Sequence, residues 1–207
     1  MSSERVIVGA GGFGREIREL VQTQTELTLL GFLDDDPAVP LRMDLGAPYL
    51  GPIRGAAAQG VPCIPGVGYP SAKRTVLAIL DAAGRPLADP LIHPKAEVGR
   101  DVVVGDGAVI TAGVIVTTNV AIGRAVSLHP GALVGHDVVC EDLVSVMPGA
   151  AVSGNVHLAT GVFVGTNAAI LQGVTVGPWA TIGAGAVVVD DVPAGATVVG
   201  VPARAIS

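Results

Sequence analysis

Aromatic side chains are nearly missing from this chain: one Trp, two Tyr and three Phe stand in 207 residues. A core packed around large rings is thereby excluded, and the hydrophobic half of the sequence must be buried as Val, Ile, Leu and Ala. Charge is scarce as well. Only 14% of residues are Asp, Glu, Lys or Arg, the formal net charge is −6, and no basic run exists, so the electrostatic footprint of a nucleic-acid binder is lacking. No apolar stretch reaches the roughly eighteen residues of a spanning helix without Gly, Pro or charge. Met1-Ser2-Ser3-Glu4-Arg5 leads into a strand rather than a signal peptide. The two cysteines, Cys63 and Cys140, lie on apolar strands far apart in sequence; they read as buried free thiols of a reducing cytoplasm rather than a disulfide.

What the chain has instead is period six. From Val98 to Val188 every sixth residue is a branched aliphatic, Cys140 excepted, with no insertion or deletion. Glycine often follows at once, as in Val98-Gly99, Val134-Gly135 and Ile182-Gly183. Alternate residues of a strand share a face, so the first and fifth positions of each hexad point inward together. The fifth positions are indeed small or aliphatic, among them Ala108, Val126, Val144 and Val162. Third positions, such as Thr118, His136 and Thr166, face outward near corners. Glycine at the second position suits a corner that needs unusual dihedrals. An unbroken hexapeptide array is the signature of a β-solenoid: three hexads close a triangular coil, residues eighteen apart stack, and sixteen hexads give about five coils with strands about 4.8 Å apart. A sandwich would show turn signals every eight to twelve residues or so and would not hold one phase.

The preceding residues alternate strand and helix. Val6 to Val8 run into Gly9-Ala10-Gly11-Gly12-Phe13-Gly14, and Arg15 to Gln24 carry helical spacing through Ile17, Leu20 and Val21. Strands are expected at Thr28 to Leu33, ending in Asp34-Asp35-Asp36-Pro37, and at Val61 to Ile64, with a second helix over Ser71 to Ala83. This is an α/β nucleotide-binding pattern over 1–86, followed by the solenoid over 87–207. Gly9-x-Gly11-x-x-Gly14 with Asp34 downstream satisfies the dinucleotide fingerprint, yet a dinucleotide fold needs two mononucleotide halves and the solenoid begins too early for the second. Three readings stay open for the loop: a nucleotide-sugar site on half such a sheet, a structural turn, and NAD binding, the last being the poorest fit. Asp34 and Asp35, at a strand's carboxyl end, are placed to accept hydrogen bonds from a ligand or to form a solvated turn.

Four histidines are available for chemistry. His93, before Pro94, suits capping or packing, and His157 suits simple exposure. His136 stands at a third position with Asp137 beside it. A carboxylate near an imidazole holds one tautomer, and an imidazole titrates near neutrality, so this pair suits a general base. His129, one hexad earlier, fits a supporting polar contact to an acceptor or a neighbouring subunit, or no role.

The ordered set Gly9-Ala10-Gly11-Gly12-Phe13-Gly14, Phe32-Leu33-Asp34-Asp35, Ile92-His93-Pro94, Val134-Gly135-His136-Asp137, Ser153-Gly154-Asn155-Val156 and Val199-Gly200-Val201-Pro202-Ala203-Arg204 resembles the left-handed β-helix sugar O- and N-acyltransferases, the group of sialic acid O-acetyltransferases and of N-acetyltransferases acting on nucleotide-linked 4-amino sugars. The resemblance covers essentially the whole chain. It implies a left-handed parallel β-helix behind a half-Rossmann-like domain, acetyl-CoA as cosubstrate, a homotrimer, and active sites between adjacent prisms. It places the catalytic histidine on His136 and its acid on Asp137. The thioester contact falls on Gly154, the pantetheine path on Thr166 and Ala184, and nucleotide-sugar contacts on Gly11, Gly12, Phe13, Asp34, Asp35 and Gly68. Three residues depart from the family pattern: Phe13 replaces a histidine of many relatives, Ser145 replaces a second histidine that contacts the donor, and His129 replaces an asparagine. No metal and no resident cofactor are implied. The rival readings are a trimeric carbonic anhydrase-like zinc protein using His129, His136 and His157, and a non-catalytic sugar-binding solenoid. Sugar, nucleotide base, and N- versus O-acetylation remain open at this stage.

Overall fold

A computed structural model describes residues 3–55 and 57–206; Met1 and Ser2 of the opening segment lie outside the described residues. The chain divides into two compact units, 1–91 and 92–207.

The first unit is a four-stranded parallel sheet in the order β3-β2-β1-β4, with β1 at Glu4–Val8, β2 at Thr28–Leu33, β3 at Tyr49–Gly51 and β4 at Cys63–Pro65. Central parallel strands are covered on both faces and read as continuous apolar runs; Val6, Ile7 and Val8 are accordingly all fully buried. Helix α1 (Gly12–Gln22) buries Gly14, Ile17, Leu20 and Val21, one stripe at helical spacing. The short α2 spans Val39–Arg42, and α3 (Pro70–Ala82) opens on Pro70, whose missing N–H costs nothing at a first helical position. Helix α1 begins three residues before the expected Arg15, and β4 sits two residues later than expected at its start. Strand β3 and α2 have no counterpart in the sequence reading. The reason is local: Tyr49-Leu50-Gly51 is flanked by Pro48 and Pro52, which read as turn residues, and becomes a strand only because Phe32 N–H reaches Pro48 O (2.8 Å) and Asp34 N–H reaches Gly51 O (3.0 Å).

The segment after α3 stays with this unit. Cys63 exchanges hydrogen bonds with Pro86 O and the Ala88 N–H, both 2.9 Å, and buried Arg85 donates to the carbonyls of Gly55, Ala57 and Ala58. These bonds keep residues 85–88 with the first unit, which runs to Leu91.

The second unit is a parallel β-solenoid. Two-residue strands such as Ser127–Leu128, Leu133–Val134 and Val139–Cys140 lie on three successive sheets, and each pairs with the strand eighteen residues away: Ser127 with Ser145, Leu133 with Ala151, Val139 with His157. From Ile110 on, the first and fifth positions of the hexads fill one apolar core, Cys140 among them. The period ends after Val188. Thr181 pairs with Thr197 at a sixteen-residue step, and Arg204–Ile206 folds back antiparallel on Thr197–Val199.

The corners differ from the expectation. Left-handed backbone occurs at the fourth position, not the second: Asp101, Asn119, Asp137, Asn155 and Asn167 have φ between 56° and 60°, and most other fourth positions are glycine. The second-position glycines have ordinary φ and serve a different need, close stacking. A Cβ on Gly135 would lie 2.7 Å from the Gly154 nitrogen, and one on Gly165 2.6 Å from that of Ala184. Backbone of the next coil occupies the space a side chain would need.

Candidate active site

His136 stands at the corner between the strands Leu133–Val134 and Val139–Cys140. Its backbone is held on both sides of the coil: Asp137 N–H donates to Thr118 O (3.2 Å) one coil before, and Asn155 N–H donates to His136 O (2.8 Å) one coil after. With main-chain groups doing the holding, the side chain is left outside the core, 51% exposed. Its Nδ1 lies 2.7 Å from Asp137 Oδ2. The other Asp137 oxygen accepts the Asn119 amide at 2.5 Å. Those two bonds, Asn119 first and His136 second, hold the Asp137 carboxyl below the usual carboxylate range. An ionised carboxylate only accepts, so Nδ1 carries the proton and Nε2 presents its lone pair. The lone-pair side of the ring lies against Gly154: a Cβ there would sit 2.5 Å from both Cε1 and Nε2. Gly154 is buried, and its N–H donates to no group among the described residues. His136, Asp137 and Gly154 are thus brought together at one corner, with Asn119 beneath them.

The remaining solenoid candidates lie elsewhere. Thr166 and Ala184 are exposed and stack, Gly185 N–H donating to Thr166 O at 2.8 Å, but they follow the strands Phe163–Val164 and Thr181–Ile182 and so occupy the preceding corner of the triangle. His129 is at that same corner and buried, 5% exposed, with its N–H on Val146 O. Ser145 is fully buried and accepts from Ser127 Oγ at 3.3 Å. Neither offers its side chain to the surface of the chain. His93 caps locally, its Nδ1 accepting the Lys95 N–H (2.9 Å), as its place before Pro94 suggests. His157 is more than merely exposed: its Nε2 meets Glu141 Oε1 at 2.8 Å, while Glu141 Oε2 accepts both the N–H and the hydroxyl of Thr160. The Thr160 hydroxyl, ahead of His157, holds the Glu141 carboxyl low. Sequence reasoning missed Asn119 and Glu141; coil spacing is the signal for Asn119, eighteen residues from Asp137, whereas Glu141 meets partners sixteen and nineteen residues away.

In the first unit the glycine loop joins β1 to α1. Gly9 has φ +105°, and a Cβ on Gly14 would strike the Gly9 carbonyl, so α1 can lie this close only with glycine there. Gly11 caps α1 with no side-chain bond, and open space surrounds the Cβ positions of Gly11 and Gly12, leaving the helix N-terminus accessible to an anion. Asp34 closes the loop: Oδ2 accepts the Ala10 N–H (2.8 Å) and Oδ1 the Asp36 N–H (2.9 Å). Asp35 Oδ1 accepts the Ile53 N–H (2.9 Å). The Tyr49 hydroxyl donates to Asp34 O, and burial, with the carboxylates of Asp34, Asp35 and Asp36 behind it, pushes its phenol up. Phe13 and Gly68 are half-buried. Lys73 of α3 is 1% exposed and held well below the usual lysine range by burial; nothing in the helical spacing foretold it. Both cysteines are free and buried, with the Cys140 thiol pushed up to about 12.

Among the described residues no three His, Cys, Asp or Glu side chains group as metal ligands, and no helix is long and apolar enough to cross a membrane. Residues 6–80 match the PglD N-terminal domain family. No curated protein sequence matches the chain. Among solved structures, a histidine-to-asparagine variant of perosamine N-acetyltransferase from Caulobacter crescentus, in complex with CoA and GDP-perosamine, is 29% identical, superposes with a TM-score of 0.90 and covers 99% of this chain and 97% of its own. The acetyltransferase domain of PglB from Neisseria gonorrhoeae FA1090 is 30% identical over 99% of this chain and 100% of its own, with a TM-score of 0.88. WeeI from Acinetobacter baumannii AYE is 29% identical over 98% and 99%, with a TM-score of 0.87. With an aperiodic α/β unit of the PglD type, a left-handed parallel β-helix behind it and likeness to these proteins from end to end, the chain belongs to the hexapeptide-repeat acetyltransferase family of nucleotide-linked amino sugars.

Proposed function

We propose that this protein transfers the acetyl group of acetyl-CoA to the amino group of a nucleotide-linked sugar, with His136 as general base. The observation that carries the reading is the corner itself: an outward imidazole whose Nδ1 is fixed on Asp137 at 2.7 Å and whose Nε2 side faces Gly154. The acceptor nitrogen attacks the thioester carbonyl as its proton passes to Nε2, the tetrahedral oxyanion takes the Gly154 N–H, and collapse breaks the C–S bond and expels CoA thiolate, which takes that proton from His136. No covalent enzyme intermediate is needed. That relatives of similar length were solved with CoA and GDP-perosamine, or with acetyl coenzyme A, supports both substrates.

The position of Thr166 and Ala184 bears on assembly. They sit one corner away from His136 on the same prism, with the side carrying Leu133 between them, so one prism does not bring the donor path to its own base. A neighbouring copy presenting its Thr166 and Ala184 corner completes the site, which supports a homotrimer with active sites between prisms. On the first unit, Gly11 and Gly12 at the α1 N-terminus take the nucleotide's phosphates, and Asp35, Phe13 and Gly68 border that site. Asp34 acts indirectly, by holding the loop. The free thiols of Cys63 and Cys140 accord with a cytoplasmic location.

The test is acetyl transfer from acetyl-CoA to a panel of UDP-, GDP- and dTDP-linked amino sugars alongside free sialic acid. Turnover of an amino acceptor is expected. Turnover of sialic acid alone would move the reading to O-acetylation, and no turnover with any acceptor would end it.

A further inference from the structure

The proton-accepting pair does not stand on one coil. Asp137 is held from below by Asn119, whose amide donates to Oδ1 at 2.5 Å while Oδ2 faces His136 at 2.7 Å. The stacking that makes this possible is a property of the fold. Fourth positions eighteen residues apart lie one above the other, and both residues have left-handed backbone, φ 56° at Asn119 and 60° at Asp137, which asparagine and aspartate tolerate better than most side chains. Left-handed geometry alone would be met by glycine, as it is at Gly107, Gly113 and Gly131. Asparagine adds a donor, and the donor is spent on the carboxylate that orients the imidazole.

We infer that Asn119 is a positioning residue for acetyl transfer, one that acts through Asp137 to keep the lone pair of His136 on Nε2 and aimed at the acceptor. The inference rests on the reading of His136 as the base. Without the Asn119 amide the Asp137 carboxylate turns freely about its Cβ–Cγ bond, its hold on Nδ1 slackens, and the imidazole populates a second tautomer and other rotamers. Two properties follow. The effect lies in turnover rather than in donor affinity, and it vanishes when Asp137 is absent.

Asn119→Gly tests this without straining the corner, since glycine accepts the left-handed backbone. Asn119→Gly should lower kcat roughly tenfold with KM for acetyl-CoA within about twofold, on the order of the loss seen when the hydrogen-bonded support behind a metal-ligating imidazole is removed. In an Asp137→Ala background the same change should cost nothing further, the mark of a pair acting as one unit. Nitrogen-15 NMR of the His136 ring, read in alkaline buffer, should show Nδ1 protonated in the native protein and a tautomer mixture in Asn119→Gly; this readout needs no acceptor. An unchanged kcat and tautomer, or an equal loss in both backgrounds, would overturn the inference while an inactive His136→Ala left the base assignment standing. Full turnover by His136→Ala would overturn both.

Discussion

The two units differ in how far their polar side chains are needed to hold the backbone. In the α/β unit they tie down irregular backbone: Asp34 bonds the N–H groups of Ala10 and Asp36, Asp35 that of Ile53, and Arg85 the carbonyls of three residues between 55 and 58. In the solenoid the main chain of neighbouring coils does most of the holding, with help from side chains such as Glu141 and Asp142, and at the His136 corner it does so without the His136 side chain, which is left outside the core. The lesson is that a residue's availability depends on how its backbone is satisfied. An aspartate at a strand end in one unit is consumed by its own loop, whereas a histidine at a corner of the other is free to meet a substrate.

That contrast can be broken by measurement. His136→Ala should cut turnover by roughly 100-fold or more while the melting temperature stays within about a degree, because the His136 side chain bonds Asp137 and no backbone group; a folding defect in circular dichroism melting would contradict the contrast. Gly154→Ala, whose methyl would fall 2.5 Å from Cε1 and Nε2, should reduce kcat on the order of 10- to 100-fold by tilting the ring, with the chain still folded. Asp34→Ala should do both kinds of damage, raising KM for the nucleotide sugar roughly tenfold and lowering the melting temperature by a few degrees, since two N–H groups lose their acceptor. Calorimetry showing an unaltered transition would mean that the loop holds its shape without Asp34. Gly135→Ala should cost about 1–3 kcal/mol by overpacking the next coil, a drop of roughly 2–12 °C.

The smallest effect concerns Glu141. Its folded carboxyl is held below its ordinary 4.5 by Thr160 and His157, so the native state binds fewer protons than the unfolded state around that value. The stabilisation is present above pH about 4.5 and is lost as pH falls through the folded value. Glu141→Gln should therefore flatten the decline of the melting temperature on the acid side and leave the neutral range little changed. An identical acid decline in both proteins would show that the pairing contributes nothing.

The legibility of the sequence follows the same division. His136 and Asp137 were visible because a hexad phase states which positions face outward, and the structure has them outside. Ser145 and His129 were not visible as buried side chains, since the hexad assigns a direction but says nothing of what covers that direction. The second-position glycines show a subtler gap: the pattern marked them correctly as special, but the cause is the closeness of the adjoining coil at Gly135, while the turning dihedral belongs to the next-but-one residue, Asp137. Strand β3 was hidden between two prolines because its evidence lies in its partner, β2.

By itself the sequence determined the period, the apolar core from Ile110 onward, the place of the glycine loop before a helix, and the outward imidazole of His136. Each is a local regularity repeated often enough, or a spacing tight enough, to have one physical solution. Only the tertiary structure decided that Asn119 reaches Asp137, that Glu141 gathers His157 and Thr160, and that Asp34 spends its oxygens on its own loop. Apart from the local bond of Asp34 to Asp36, those are bonds between residues sixteen or more apart in the chain, and a hydrogen bond exists only where folding has already brought donor and acceptor within about 3 Å.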